Sequence, residues 1–157
     1  MRIVLLGYII RGPYGALCWH HFQYMLGLVK LGHEVLFIED SDDYPGCYNY
    51  NSTKTAERHG FSFITTLFEK YSLKNKWSYF DSLSNKWYGV SKEKAIDFCT
   101  KADIAINLSG INPLREWWQN IPCRVFLDTD CSFTQIRMLQ EAPLMDLAKS
   151  HTCHFSL

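Results

Sequence analysis

The first forty residues restrict the fold more than any other part of the chain. Arg2-Ile3-Val4-Leu5-Leu6 is a short run of β-favouring residues with no polar alternation, the pattern of a strand covered on both faces. A glycine-containing loop follows at 7–15. Leu17, Phe22, Met25, Leu26, Leu28 and Val29 then recur at mainly helical spacing up to Leu31, and Gly32 stands where a helix C-terminal cap belongs. Val35-Leu36-Phe37-Ile38 makes a second buried strand that ends abruptly in acidic residues at 39–43. Strand, helix and parallel strand form a βαβ unit, for which a right-handed crossover is expected.

Beyond it the pattern repeats less regularly. Residues 44–58 are rich in Asn, Tyr, Ser and Thr and read as a long loop. A helix is expected over 61–71, a short strand at 78–80, and a helix over 91–101 capped at or near Ser91. Strands at 103–108 and 124–127 flank a short helix at 113–120. A helical stretch over 134–147, broken near Pro143, leads to a last short strand within 151–157. Repeated β-then-α order predicts an α/β, Rossmann-like three-layer sandwich, with a mainly parallel sheet and helices on both faces. At 157 residues, with 47% hydrophobic and 20% charged, the chain suits one domain with a sizeable core.

Charge and cysteine content narrow the function. Sixteen basic and sixteen acidic residues give zero formal net charge, so no global field favours nucleic acid or an anionic membrane. The six cysteines, at 18, 47, 99, 123, 131 and 153, form no CxxC pair, and they read as reduced thiols rather than a disulfide framework or zinc site. His151-x-Cys153-His154 also lacks four-ligand metal spacing. The start has no signal-peptide pattern, and no run reaches the roughly 20 apolar residues of a membrane helix. A cytoplasmic protein without a membrane span is expected.

In such a sheet ligands bind beyond the carboxyl ends of the strands, so the strand tips carry the candidates. Gly12-Pro13-Tyr14-Gly15 before a helix either presents N–H groups to a phosphate or serves only as a packing turn, since Pro13 lacks a donor. A G-x-G-x-x-G fingerprint is absent, the spacing being Gly7, Gly12, Gly15, although Glu39 imitates the ribose-binding acid of dinucleotide sites. An NAD(P)-binding oxidoreductase is therefore the weaker alternative. Trp19-His20-His21 opens the helix. An imidazole there can act as general base or be a structural histidine, and adjacent helical positions diverge by about 100°, so at most one faces the cleft. Asp128 and Asp130 are either an acid/base pair or the cap of the next helix. Asp40 and Asn112 supply polar groups from two further tips. Trp117-Trp118 reads as packing before sugar stacking.

These residues also carry a resemblance. The opening 1–16, the helix with Gln23-Tyr24 and Leu28-x-x-Leu31-Gly32-His33, and Glu34-Val35 leading to Ile38-Glu39-Asp40 resemble the N-terminal lobe of a GT-B-type glycosyltransferase. Leu127-Asp128-Thr129-Asp130 with 133–135 is similar to a later strand tip in bacterial glycosyltransferase-like proteins. The resemblance implies two Rossmann-like lobes around a cleft, this one mainly binding the acceptor and a second one binding a nucleotide-activated sugar. It implies no cofactor and no metal for the transfer itself. It carries over Gly12 and Gly15 as cleft residues; together with the strand-tip reading, the catalytic candidates are Asp128, Asp130 and His20, and the substrate-binding ones Gly12, Tyr14, Gly15, Trp19, Asp40 and Asn112. Two departures stand out: Ala16-Leu17 occupy the place where many relatives carry a catalytic histidine, and the length accommodates one lobe only. The expectation is an acceptor-side lobe that is inactive alone, completed by a donor-binding partner lobe. The alternative is a non-enzymatic binding or partner-interaction module.

Overall fold

A computed structural model describes residues 1–40 and 53–157, with side chains from 59 onward in the second stretch. Strands β1 (Arg2–Leu6) and β2 (Glu34–Glu39) flank helix α1 (Gly15–Lys30). Helix α2 (Thr53–Lys70) is followed by β3 (Trp77–Asp81), β4 (Lys86–Gly89) and α3 (Lys92–Thr100). Then come β5 (Ile104–Leu108), β6 (Cys123–Asp128), α4 (Cys131–Gln140), α5 (Ala142–Lys149) and β7 (Cys153–Ser156).

The strands form one sheet in the order β4-β3-β2-β1-β5-β6-β7. Every neighbouring pair is parallel except β3 with β4. With the antiparallel β4 set aside, the parallel strands run 3-2-1-4-5-6 in their own sequence order, the doubly wound arrangement of a Rossmann-like sandwich. Chain direction across the sheet reverses between β1 and β5, which puts the ligand-binding crevice of this architecture at their C-terminal tips.

The unbroken apolar runs of β1 and β2 follow from covering on both faces. Ile3, Leu5, Val35 and Phe37 join Phe22 and Met25 of α1 and Ile64 and Phe68 of α2 in one core. Val4, Leu6, Leu36 and Ile38 point the other way, against Ala95 and Cys99 of α3 and the buried Trp118 and Ile121. Gly32, at φ 83, ends α1 as the sequence indicates, with the His33 N–H donating to the Leu28 carbonyl.

Several elements differ from the expectations. Residues 53–58 belong to α2, so the expected loop is shorter at that end, while 44–52 lie outside the described residues. Residues 113–120 form turns, not a helix. The Trp118 and Gln119 N–H groups both donate to the Arg115 carbonyl, and the buried Trp118 indole anchors to the Pro113 carbonyl, fixing a tight wrap around one large side chain. Strand β4 gives no sequence signal of its own. Its four residues are held by pairing with β3 across a turn that puts Asn85 at φ 54. Ser91 occupies the α3 cap position, but its hydroxyl makes no capping bond to a backbone N–H. The expected break near Pro143 falls at Glu141, between α4 and α5.

Candidate functional site

Four strand tips meet at the reversal point. The first is the loop after β1, and its conformation is set by Glu39 at the end of β2. The Glu39 carboxylate is fully buried and accepts three backbone N–H bonds, from Ile9 at 2.6 Å, Ile10 at 2.7 Å and Arg11 at 2.8 Å. Burial pushes its carboxyl up to about 7, against the pull of those three donors and of the Arg11 charge. Arg11 is itself buried. Its Nε donates to the Tyr79 hydroxyl at 2.9 Å, and its guanidinium lies 5.3 Å from the Tyr79 ring centre. The loop is therefore tied to both β2 and β3. Its three successive amides are engaged by an internal carboxylate, which leaves neither those amides for a phosphate nor that acid for a ribose hydroxyl.

The second cluster joins the β2 and β5 tips. Asp40 is buried and receives two bonds from Arg115, at 3.0 and 2.9 Å, while its N–H donates to Asn112 Oδ1 at 2.6 Å. The Asn112 amide donates to the Gly7 carbonyl at 3.1 Å, closing the gap between β1 and β2. Asn107 of β5 donates to the Asn112 carbonyl at 2.8 Å and accepts the Asn112 N–H at 3.3 Å. His151 ends this chain of bonds: Nδ1–H donates to the Leu147 carbonyl at 2.8 Å, which leaves Nε2 to accept from Asn107 at 3.4 Å. Burial lowers the His151 pKa, in keeping with a neutral ring.

The third cluster is more open. Ser109 and Gly110 follow β5 with φ of 58 and 59, two successive left-handed residues. That turn brings the Ser109 hydroxyl against the Thr129 hydroxyl at 2.5 Å, beyond β6. A Cβ on Gly110 would stand 2.4 Å from the Phe126 ring, so only glycine fits there. Asp128 is buried, with Oδ1 accepting the Asp130 N–H at 3.0 Å, and Asp130 is exposed at the N-cap of α4.

The remaining candidates fall in different places. Gly12 is buried, its Cα facing the Tyr8 ring and Leu17 so closely that a Cβ would lie 2.7 Å from Tyr8. Tyr14 is the exposed N-cap residue of α1, and Gly15 is the exposed first residue of that helix. Trp19 sits away from the tips. It is half exposed and lies beside Tyr71, just beyond α2, and Phe22. Asp40 and Asn112 are brought into direct contact, but each is engaged inside the fold.

Of the two histidines, His21 is the inward one. It is fully buried, its Nδ1 would lie 3.3 Å from a Cβ on Gly7, and neither ring nitrogen has a hydrogen-bond partner. Burial, then the neighbouring His20, lower its pKa to about 3, so the ring is neutral. His20 is half buried and stands edge-on to His21 and Tyr24. The spacing Cys18, His21, Phe22, Met25 is the i, i+3, i+4, i+7 stripe of a buried helix face, a signal for His21 that the run of apolar types alone hides. Arg115, Asn107 and the Ser109–Thr129 pair carry no local signal, because their partners lie on other tips.

No group of three or more His, Cys, Asp or Glu suited to a metal ion occurs among the described residues. No helix among them is long and apolar enough to cross a membrane. No family model, curated protein or solved structure matches the chain.

Proposed function

We propose that the chain is the acceptor-side lobe of a two-lobed, GT-B-type glycosyltransferase, related to transfer of a sugar from a nucleotide-sugar donor to an acceptor hydroxyl. One observation carries this reading over a nucleotide-binding one: the engagement of Glu39 with the amides of Ile9, Ile10 and Arg11. A dinucleotide site requires that loop for its pyrophosphate and the acid at the second strand's end for its ribose. Here each satisfies the other. Beyond the β5 and β6 tips the Ser109 and Thr129 hydroxyls, in contact with each other, and the exposed Asp130 carboxylate are groups suited to orienting a polyhydroxylated ligand.

In the proposed reaction an acceptor hydroxyl attacks the anomeric carbon of the sugar, and the nucleotide phosphate departs. In this reading the exposed Asp130, next to Thr129 in the chain, takes the hydroxyl proton. Stabilisation of the departing phosphate falls to a separate donor-binding lobe, so the chain is inactive alone. A second reading, a non-enzymatic interaction module, draws on the exposed apolar side chains of Phe133, Ile136 and Leu139 on α4 and Phe155 on β7.

The test is a ligand screen on the isolated chain by amide NMR, with sugars and sugar alcohols on one side and NAD, NADP and uridine-diphosphate sugars on the other. Shifts at Ser109, Thr129 and Asp130 with the hydroxylated ligands alone are expected. Saturable binding of NAD or NADP overturns the proposal, and so does donor-dependent sugar transfer by the chain alone.

A further inference from the structure

The end of the sheet remote from the strand tips holds a pair of thiols that the proposed chemistry does not use. Cys123 is the first residue of β6 and Cys153 the first of β7. The parallel register pairs Val125 with Cys153, so Cys123, two residues before Val125, points to the same face as Cys153 and is its diagonal neighbour. The Cys123 and Cys153 side chains are close enough to influence each other electrostatically, with the Thr152 side chain beside them. Thr152 holds this corner together. Its hydroxyl accepts the Arg124 N–H at 2.8 Å and donates to the Arg124 carbonyl at 3.2 Å. Both cysteines are half buried and so within reach of a small reagent, whereas Cys18 and Cys99 are buried, with thiols pushed up to about 12; burial first, then Cys153, also raise the Cys123 thiol, so the reaction calls for mildly alkaline pH.

We propose that Cys123 and Cys153 form a reversible disulfide that staples the edge strand β7 to β6. The oxidant is a low-molecular-weight disulfide such as oxidised glutathione. One cysteine, as thiolate, attacks the glutathione disulfide and expels a glutathione thiolate, giving a mixed disulfide. The second cysteine, as thiolate, attacks the protein sulfur of that intermediate and expels the other glutathione. Two protein thiols are oxidised and one glutathione disulfide is reduced to two thiols, while the protons lost by the attacking thiols are taken up by the departing ones. Diagonal Cα positions in a flat parallel ladder are roughly 8 Å apart, beyond the usual disulfide span. Closure therefore draws the start of β7 toward the start of β6 against the Thr152–Arg124 bonds, and the bond belongs to the strained, easily reduced kind.

The experiment equilibrates the full chain with glutathione buffers of increasing oxidation at mildly alkaline pH, blocks remaining thiols with N-ethylmaleimide, and maps the products by mass spectrometry. The expected result is loss of two blockable thiols and two hydrogen masses, with a peptide link between Cys123 and Cys153 that mild reduction reverses. Cys123→Ser and Cys153→Ser should each abolish the link, and Cys18→Ser should leave it. The mapping on the unsubstituted chain decides the matter even where a variant fails to fold. Full blocking of both cysteines after oxidation, persistent glutathione adducts on them, or linkage of either to another cysteine overturns the proposal.

Discussion

At the scale of single residues, the most informative side chain is one that satisfies nothing. Both ring nitrogens of His21 are buried without a partner, and a buried unsatisfied polar group costs about 1–3 kcal/mol. Replacing it with an apolar side chain of similar volume should therefore stabilise the fold. His21→Leu is expected to raise the unfolding free energy by about 1–2 kcal/mol at pH 7, measured by urea denaturation. A loss of stability of that size would mean that the imidazole is held by a contact the geometry does not contain. Gly110 is the opposite case, a position where the missing side chain is essential. Its φ of 59 and the 2.4 Å approach of the Phe126 ring act together, so Gly110→Ala should lose about 2 kcal/mol or more, read in the same experiment.

Among the elements, what the sequence discloses depends on whether the information is local. The β1 and β2 runs are legible because a strand packed on both faces is apolar at every position, and α1 because its buried stripe and Gly32 lie within one segment. Strand β4 and the turns at 113–120 are not, because one depends on pairing with β3 and the other on wrapping Trp118. The site divides the same way. The tips follow from element order, but the Glu39 clamp and the Asp40–Arg115 pair join residues about 30 and 75 positions apart. Helix α2 shows how such a contact reverses a local rule. Gly60 lies inside this helix, where alanine is ordinarily favoured by about 1 kcal/mol. A Cβ there would stand 2.1 Å from the Ile10 carbonyl oxygen, in the loop that Glu39 holds rigid. Gly60→Ala should accordingly destabilise the chain, by about 2–4 kcal/mol in thermal or urea unfolding, with α2 pushed off the β1–α1 loop. An unchanged or raised midpoint would show that the loop yields and is not clamped.

On the scale of the whole molecule, two buried groups make opposite demands on the solvent. Glu39 is raised to about 7 in the folded chain from an ordinary 4.5, so between those values the native state holds more protons than the unfolded one. Its contribution to stability is complete below about 4.5 and is lost as pH rises through 7. His21 is lowered to about 3 from an ordinary 6.5, so there the unfolded state holds more protons. Its contribution is complete above about 6.5 and is lost as pH falls toward 3. His151, lowered by burial, acts in the same direction as His21 just below 6.5. Each group alone would tilt stability by up to about 1.4 kcal/mol per pH unit, and over pH 5–6 the Glu39 and His21 slopes oppose each other. The native chain should therefore show a shallow stability profile across that window in urea unfolding. Glu39→Gln should leave a profile that climbs with pH, because the histidines then act unopposed. His21→Leu should leave one that falls with pH, because Glu39 then dominates. Parallel profiles for all three proteins would show that neither group changes its protonation on folding.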